Sequence, residues 1–151
     1  GRITSKEFIS LLQKEYYIPD ERAHEIPSAW CGMLLDIPRE RVEFLTELKE
    51  NKNLFMLSNI NEIHEQYIQK YIDSKPELSN IYTNFKKVLF SHHIGMRKPH
   101  VETFSFVLDY LNITADSTLF IDDSFQHIEG AIKAGLATHY LNPPNSFILK
   151  S

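Results

Sequence analysis

Residues 119–141 read LFIDDSFQHIEGAIKAGLATHYL, and this stretch decides the fold. A short apolar run ends in Asp122 and Asp123, and a helical pattern with its apolar residues on one face follows it. Gly135 stands where a helix is expected to end, because glycine readily adopts the backbone conformation of a C-terminal cap. Residues 138–141 then form a further strand-like segment. The stretch therefore predicts two parallel strands joined by a helix.

The same alternation extends towards the N-terminus. Residues 54–57 and 88–90 are two more short apolar runs, and each predicts a buried strand. Helical patterns lie between the runs, one with Asn61 as its N-terminal cap and one opened by Pro99. Alternating strands and helices predict an α/β fold in which a parallel sheet is covered by helices on both faces.

The first 35 residues do not follow this alternation. Thr4 and Glu7 have the spacing of a capping box, and apolar residues at helical spacing follow them. We interpret residues 1–35 as the remainder of a helical cap and residues 36–151 as the α/β core. The tail with Pro143 and Pro144 is expected at the surface.

Composition narrows the functional classes. The chain has 151 residues, of which 42% are hydrophobic and 24% are charged, as in a single soluble globular domain. Its net charge of −4 offers no basic surface for nucleic acid or for a membrane. No apolar run is long enough to cross a bilayer, and the first eight residues, GRITSKEF, lack the apolar segment expected of a signal peptide. The single cysteine, Cys31, cannot form an internal disulfide, so a reducing, cytoplasmic location is expected.

Polar residues follow the predicted strands at the positions where α/β proteins bind ligands. Ser58 and Asn59 follow the first strand, Asp122 and Asp123 follow the third, and Lys98 follows the second. A hydroxyl and backbone amides suit phosphate oxygens, and a lysine supplies a positive charge beside them. Paired carboxylates suit Mg²⁺, although an acidic pair at a strand end could also cap the next helix. The set describes a magnesium-dependent phosphoryl-transfer site.

Three segments together resemble a known family. SNINEIH at 58–64, SHHIGMRKPHVETF at 91–104 and the stretch at 119–141 are similar to motifs two, three and four of the haloacid dehalogenase superfamily, in its sugar-phosphate phosphatase branch. The resemblance implies a Rossmann-like core and a Mg²⁺-dependent phosphatase with an aspartyl-phosphate intermediate. The implied substrate is a small phosphorylated metabolite, such as a sugar phosphate.

The resemblance also assigns roles to individual residues. Ser58 corresponds to the residue whose hydroxyl holds the transferring phosphoryl group, and Asn59 assists through its backbone amide. Lys98 corresponds to the lysine that balances negative charge. Asp123 aligns with the principal Mg²⁺ ligand, and Asp122 with the neighbouring acid that often acts through a metal-bound water.

The resemblance gives no chemical role to His92, His93 or His127. His127 departs from the family pattern, which usually has Asn or Asp there, so no polar contact is assigned to it. His92 and His93 match positions at which relatives carry polar residues without a metal role.

The family's first motif is missing from the sequence. That motif supplies an aspartate nucleophile and an acid/base aspartate two residues later, and no DxD pair occurs in these 151 residues. In the family fold its strand is central, between the strands that end at Ser58 and Asp123. We therefore expect the 151 residues alone to be inactive. We also expect them to be unstable unless an N-terminal segment or a second copy completes the sheet.

Three alternative functions share part of this pattern. A receiver-type signalling domain also combines paired acids, a hydroxyl residue and a lysine, but its acids come first in the chain and here they come last. A dehalogenase proper does not need the magnesium that the acidic pair indicates. A catalytically inactive fragment or binding module remains open because of the missing motif.

Overall fold

The computed structural model describes residues 2–141, and the tail with Pro143 and Pro144 lies outside them. The described helices and strands follow in this order: α1 (Ser5–Glu15), α2 (Ile26–Cys31), α3 (Arg39–Leu48), β1 (Phe55–Ser58), α4 (Glu62–Asp73), β2 (Lys87–Phe90), α5 (Ser91–Ile94), α6 (Val101–Leu111), β3 (Leu119–Asp122), α7 (Phe125–Lys133) and β4 (Ala137–Tyr140). Short 3₁₀ turns cover Asp20–Glu25, Pro76–Leu78, Ile81–Asn84 and Ala115–Ser117. Within residues 2–141, no helix combines the length and the apolar character that a membrane span requires.

The described strands form two separate parallel pairs. In the first pair β1 runs beside β2, with Phe55 opposite Lys87. In the second pair β3 runs beside β4, with Leu119 opposite Ala137. Residues 2–50 contribute no strand to either pair. The α/β class with parallel strands joined by helices is confirmed.

The strands are less buried than a sheet covered on both faces would be. Of the four residues of β3, Leu119 and Ile121 are 50% and 37% exposed. Their side chains share one face of the strand, because successive side chains alternate between faces. That face of β3 is therefore only partly covered.

The chain divides into two compact units, one ending at Gly95 and the other beginning at Met96. In the first unit, the buried Val42, Ile72 and Leu78 form a hydrophobic cluster between α3, α4 and the 3₁₀ turn after α4. The helices α1 and α2 belong to the same unit, and the division into a cap at 1–35 and a core at 36–151 stays a prediction.

The helix α2 packs on α4 through a small aromatic group. Trp30 stacks on His64, with ring centroids 5.8 Å apart, and Phe8 of α1 meets Trp30 edge-on at 4.8 Å. Cys31 beside them is 2% exposed, and its Sγ lies 3.8 Å from the carbonyl oxygen of Ile63. Burial raises the pKa of the Cys31 thiol, so it stays protonated and unreactive at neutral pH.

The second unit is built around α7. Phe104 of α6 is 2% exposed and meets Phe120 of β3 edge-on, with ring centroids 5.1 Å apart. Gly130 of α7 lies so close to the loop before α6 that a Cβ there would come within 2.1 Å of the Pro99 carbonyl oxygen. Gly135 follows α7 with φ +86°, so the predicted C-terminal cap is confirmed.

Candidate functional site

Asp122 is the best-anchored polar residue at the end of β3. Its Oδ2 accepts a hydrogen bond from Lys98 Nζ at 2.7 Å, and both side chains are 8% exposed. Its Oδ1 accepts from the Ser124 backbone N–H at 2.8 Å. His127 Nδ1 lies 2.9 Å from the same Oδ1 and donates to it, because an ionised carboxylate can only accept. Both carboxylate oxygens are thus satisfied.

These neighbours decide the ionisation of Asp122. Burial alone raises the pKa of this carboxyl, because a charge is poorly solvated away from water. The hydrogen bond and charge of Lys98, together with the donors of Ser124 and His127, outweigh burial and hold the pKa of Asp122 below its ordinary value. Asp122 is therefore a carboxylate at neutral pH.

Lys98 is positioned by the loop that precedes α6. The residue is 7% exposed, and its Nζ also lies 5.5 Å from the centre of the Phe120 ring. The carbonyl oxygen of Arg97 beside it accepts hydrogen bonds from Thr103 Oγ1 at 2.8 Å and from the His100 backbone N–H at 3.2 Å. The loop is therefore fixed on both sides of the lysine, by these bonds and by the close approach of α7 to Pro99.

Asp123 differs from its neighbour. It is exposed, and in the part of the chain that the structure describes no hydrogen bond or ion pair engages its carboxylate. Mg²⁺ commonly takes one or two protein carboxylates and fills its remaining positions with water and substrate phosphate. The donor set of Asp123 and Asp122 at one strand end fits such an ion.

Ser58 and Asn59 lie in the first unit, at the end of β1, and both are half-buried. The loop that begins with them ends at Asn61, whose side chain accepts from the backbone N–H of the third residue of α4 at 2.9 Å, as an N-terminal cap should. The Ile60 carbonyl oxygen accepts from Ser91 Oγ at 2.9 Å. The loop is thereby anchored to α4 and to α5.

The structure thus brings Lys98, Asp122 and Asp123 together in the second unit, and places Ser58 with Asn59 in the first. The departure from the family pattern at His127 leaves its role open in the sequence, and the structure places its ring against Asp122.

A second group escaped the sequence interpretation. Glu65 of α4 lies against His92 and His93 of α5, and their ligand atoms lie within 4.8 Å of one another. The adjacent histidines were a visible signal. Their carboxylate partner was not, because it lies 27 residues away from His92 in the chain and the two meet only through tertiary packing.

A family model for haloacid dehalogenase-like hydrolases matches residues 11–135. Among curated proteins, the chain is 26% identical over 120 residues to a D-ribitol-5-phosphate phosphatase of Bacteroides thetaiotaomicron, covering 76% of this chain and 55% of the relative. It is 28% identical over 141 residues to the drimenol cyclase drtB of Aspergillus calidoustus, covering 90% of this chain and 25% of the relative. The chain thus spans between a quarter and about half of the length of these two relatives.

A solved structure of a related enzyme from Bacteroides thetaiotaomicron contains magnesium and inorganic phosphate. It matches with a TM-score of 0.86 and 28% identity, covering 97% of this chain and 73% of the other. The Rossmann-like architecture implied by the sequence motifs is therefore confirmed.

Proposed function

Because the chain belongs to the haloacid dehalogenase-like hydrolase family, we propose that it forms part of a magnesium-dependent phosphatase that acts on a small phosphorylated metabolite. The observation that carries the proposal is the buried ion pair of Lys98 and Asp122 at the end of β3, with the unengaged carboxylate of Asp123 beside it. Perturbed, fixed charges at a strand end are typical of catalytic sites in α/β proteins.

The residues of the second unit have separate tasks in this proposal. Asp123 would hold Mg²⁺ directly and Asp122, whose oxygens are already hydrogen-bonded, would act on it through water; the ion would supply a Lewis acid for the phosphoryl oxygens. Lys98 places its ammonium where negative charge gathers on the phosphate, and its anchored loop means that little reorganisation is needed. His127 and the Ser124 N–H keep the Asp122 carboxylate oriented and ionised.

In the first unit, Ser58 and Asn59 bind the transferring phosphoryl group through a hydroxyl and a backbone amide. The support is their position at the end of β1, in a loop that α4 and α5 hold in place. Groups held in one geometry bind a transition state without losing conformational entropy at that moment.

The relatives support the substrate class. One acts on D-ribitol 5-phosphate, and the related solved structure holds inorganic phosphate with magnesium. We propose a phosphorylated sugar or polyol. The aspartate that would form the aspartyl-phosphate intermediate is not among these 151 residues, because they hold no DxD pair.

A second candidate follows from that absence. Without a nucleophile, the 151 residues would bind Mg²⁺ and phosphate as a non-catalytic module. Both candidates expect binding without turnover from these 151 residues alone, and they differ in whether an aspartate from outside these residues completes the site.

Two measurements test the proposal. First, Mg²⁺-dependent binding of inorganic phosphate is measured by calorimetry for the 151-residue chain and for two variants. Asp123→Asn should weaken Mg²⁺ binding at least about tenfold, because a neutral amide replaces a charged oxygen ligand. Asp116→Asn, which alters an exposed acid of the same unit, should leave it unchanged. Equal affinities for the wild type and Asp123→Asn would reject the metal assignment.

Second, hydrolysis of p-nitrophenyl phosphate and of D-ribitol 5-phosphate is assayed with Mg²⁺. No turnover is expected from the 151 residues alone. Robust turnover that survives in Asp116→Asn and fails in Asp123→Asn would show that the nucleophile lies within the chain, and would exclude the non-catalytic module.

A further inference from the structure

The cluster of Glu65, His92 and His93 lies outside the site described above. We propose that this cluster binds a divalent transition-metal cation, with Zn²⁺ as the best match. His92 Nε2 lies 2.8 Å and His93 Nε2 lies 3.0 Å from the same oxygen, Glu65 Oε2. The His92 side chain is 9% exposed, that of Glu65 is 29% exposed and that of His93 is 57% exposed. The cluster is anchored on its inner side and open to solvent on its outer side.

The hydrogen bonding of His92 supports a cation. Its Nδ1 lies 3.1 Å from the Ile60 carbonyl oxygen, and a carbonyl can only accept, so Nδ1 carries a proton. In the neutral imidazole, Nε2 then presents its lone pair to Glu65 Oε2. Two acceptors 2.8 Å apart repel each other unless a positive charge lies between them. A histidine that donates one ring N–H to a carbonyl and turns the other nitrogen to a metal is the usual arrangement at protein metal sites.

A proton is the competing occupant of this position. If His92 carries a second proton, it donates to Glu65 and the pair is an ordinary ion pair. His93 changes the balance, because its Nε2 faces the same carboxylate oxygen. Two imidazole nitrogens and one carboxylate oxygen lie within 4.8 Å of one another, and together they are the donor set of an open metal site.

The distances and donor types select the ion. Zn–N and Zn–O bonds of about 2.0–2.2 Å place tetrahedral ligand atoms about 3.3–3.5 Å apart, so the separations of Glu65 Oε2 from the two imidazole nitrogens need to open by about 0.5 Å. A shift of the partly exposed Glu65 carboxylate opens both separations, and the exposed His93 side chain can follow it. Imidazole nitrogen favours Zn²⁺ and its transition-metal neighbours, whereas Mg²⁺ prefers oxygen ligands. This site is therefore chemically distinct from the one proposed at Asp122 and Asp123.

Metal binding here would act on the loop after β1. The Ile60 carbonyl accepts from His92 Nδ1 and from Ser91 Oγ, and Ile60 lies between Asn59 and the capping residue Asn61. A cation held by Glu65 of α4 and the histidines of α5 would fasten both helices around this loop. We therefore expect Zn²⁺ to stabilise the first unit. The inference uses contacts of that unit alone, so it does not depend on the proposed phosphatase activity.

The test is zinc titration of the full 151-residue chain with a chromophoric chelator as competitor, and Co²⁺ as a spectroscopic substitute. The wild type should bind one equivalent of Zn²⁺, and Co²⁺ should develop the intense visible bands of a low-coordinate nitrogen and oxygen site. Glu65→Gln and His93→Asn should each weaken Zn²⁺ binding at least about tenfold. His24→Asn removes an exposed histidine remote in sequence and should bind as the wild type does.

Circular dichroism of each variant shows whether it is still folded, so that lost binding is not mistaken for unfolding. His93 has the most exposed side chain of the cluster, so His93→Asn keeps the test valid if Glu65→Gln does not fold. Absence of a stoichiometric zinc site in the wild type would overturn the proposal. Binding that Glu65→Gln and His93→Asn leave intact, or that His24→Asn abolishes, would overturn it equally.

Discussion

The ion pair of Lys98 and Asp122 offers the sharpest test of how the second unit is held together. Replacing Lys98 by Met keeps the length of the aliphatic stem and removes the charge. Both partners are 8% exposed, and breaking one member of a buried pair typically costs about 3–5 kcal/mol, because the remaining charge is left without compensation. Asp122 keeps the donors of Ser124 and His127, so we expect the lower end, about 3 kcal/mol.

A double-mutant cycle separates the pair from the rest of the structure. Asp122→Asn alone should cost a similar amount, because it removes the carboxylate charge that faces the buried ammonium. The combined variant should be more stable than the sum of the two single effects predicts, by about 2 kcal/mol, since neither partner then carries an unmatched charge.

The assay is urea unfolding followed by far-ultraviolet circular dichroism, with the free energy of unfolding extrapolated to water. Lys133→Met is the matched control, because Lys133 is exposed at the end of α7, and it should change stability by about 0.5 kcal/mol or less. Additive effects in the cycle would refute the reasoning, as would a Lys98→Met variant as stable as the control.

Three further predictions rest on other contacts. Gly130→Ala should destabilise the chain by about 1–3 kcal/mol, because the added Cβ would lie 2.1 Å from the Pro99 carbonyl oxygen. This clash outweighs the better helix propensity of alanine. Thermal unfolding measures the effect, and a raised melting temperature would contradict it. The hydroxyl of Tyr71, with other nearby donors, lowers the pKa of Asp36. The ionised Asp36 therefore stabilises the folded chain above the unfolded-state pKa, and this stabilisation is lost as the pH falls through the lower folded-state pKa. Asp36→Asn should therefore flatten the acid side of the stability profile from about pH 4 downwards, measured by urea midpoints across pH, and an unchanged profile would count against this contact. Asn61→Ala should cost about 1 kcal/mol through loss of the α4 cap, and the urea midpoint of Asn61→Asp, which keeps a cap, should stay close to wild type.

Local structure could be predicted well from the sequence because its causes are local. Each apolar run became a strand within one residue of the expected position, and Asn61 caps α4 as its side chain allows. The exceptions are backbone details. Pro99 was expected to open α6, and the helix begins two residues later at Val101, with His100 as its N-terminal cap. After Asp20 the chain forms a 3₁₀ turn, and α2 then begins next to Pro27.

The candidate site is also predicted by the sequence only in part. The order of Ser58, Lys98, Asp122 and Asp123 along the chain indicates a phosphoryl-transfer site, and the role of each residue stays a prediction. The sequence does not predict that both carboxylate oxygens of Asp122 accept hydrogen bonds while Asp123 is exposed, because that difference depends on which side chain the strand turns inward. The contact of Asp122 with His127 also required the actual path of the first turn of α7.

The two parallel strand pairs have a consequence for the order of folding. Phe55 pairs with a residue 32 positions later, whereas Leu119 pairs with one only 18 positions later. Loop-closure entropy grows with the logarithm of the separation, so closing the second pair costs about 0.5 kcal/mol less. Because α7 alone bridges that pair and packs on both of its strands, we expect residues 119–140 to be the first part of the chain to acquire stable hydrogen bonds. The segment whose sequence identifies the fold would then also be the folding nucleus.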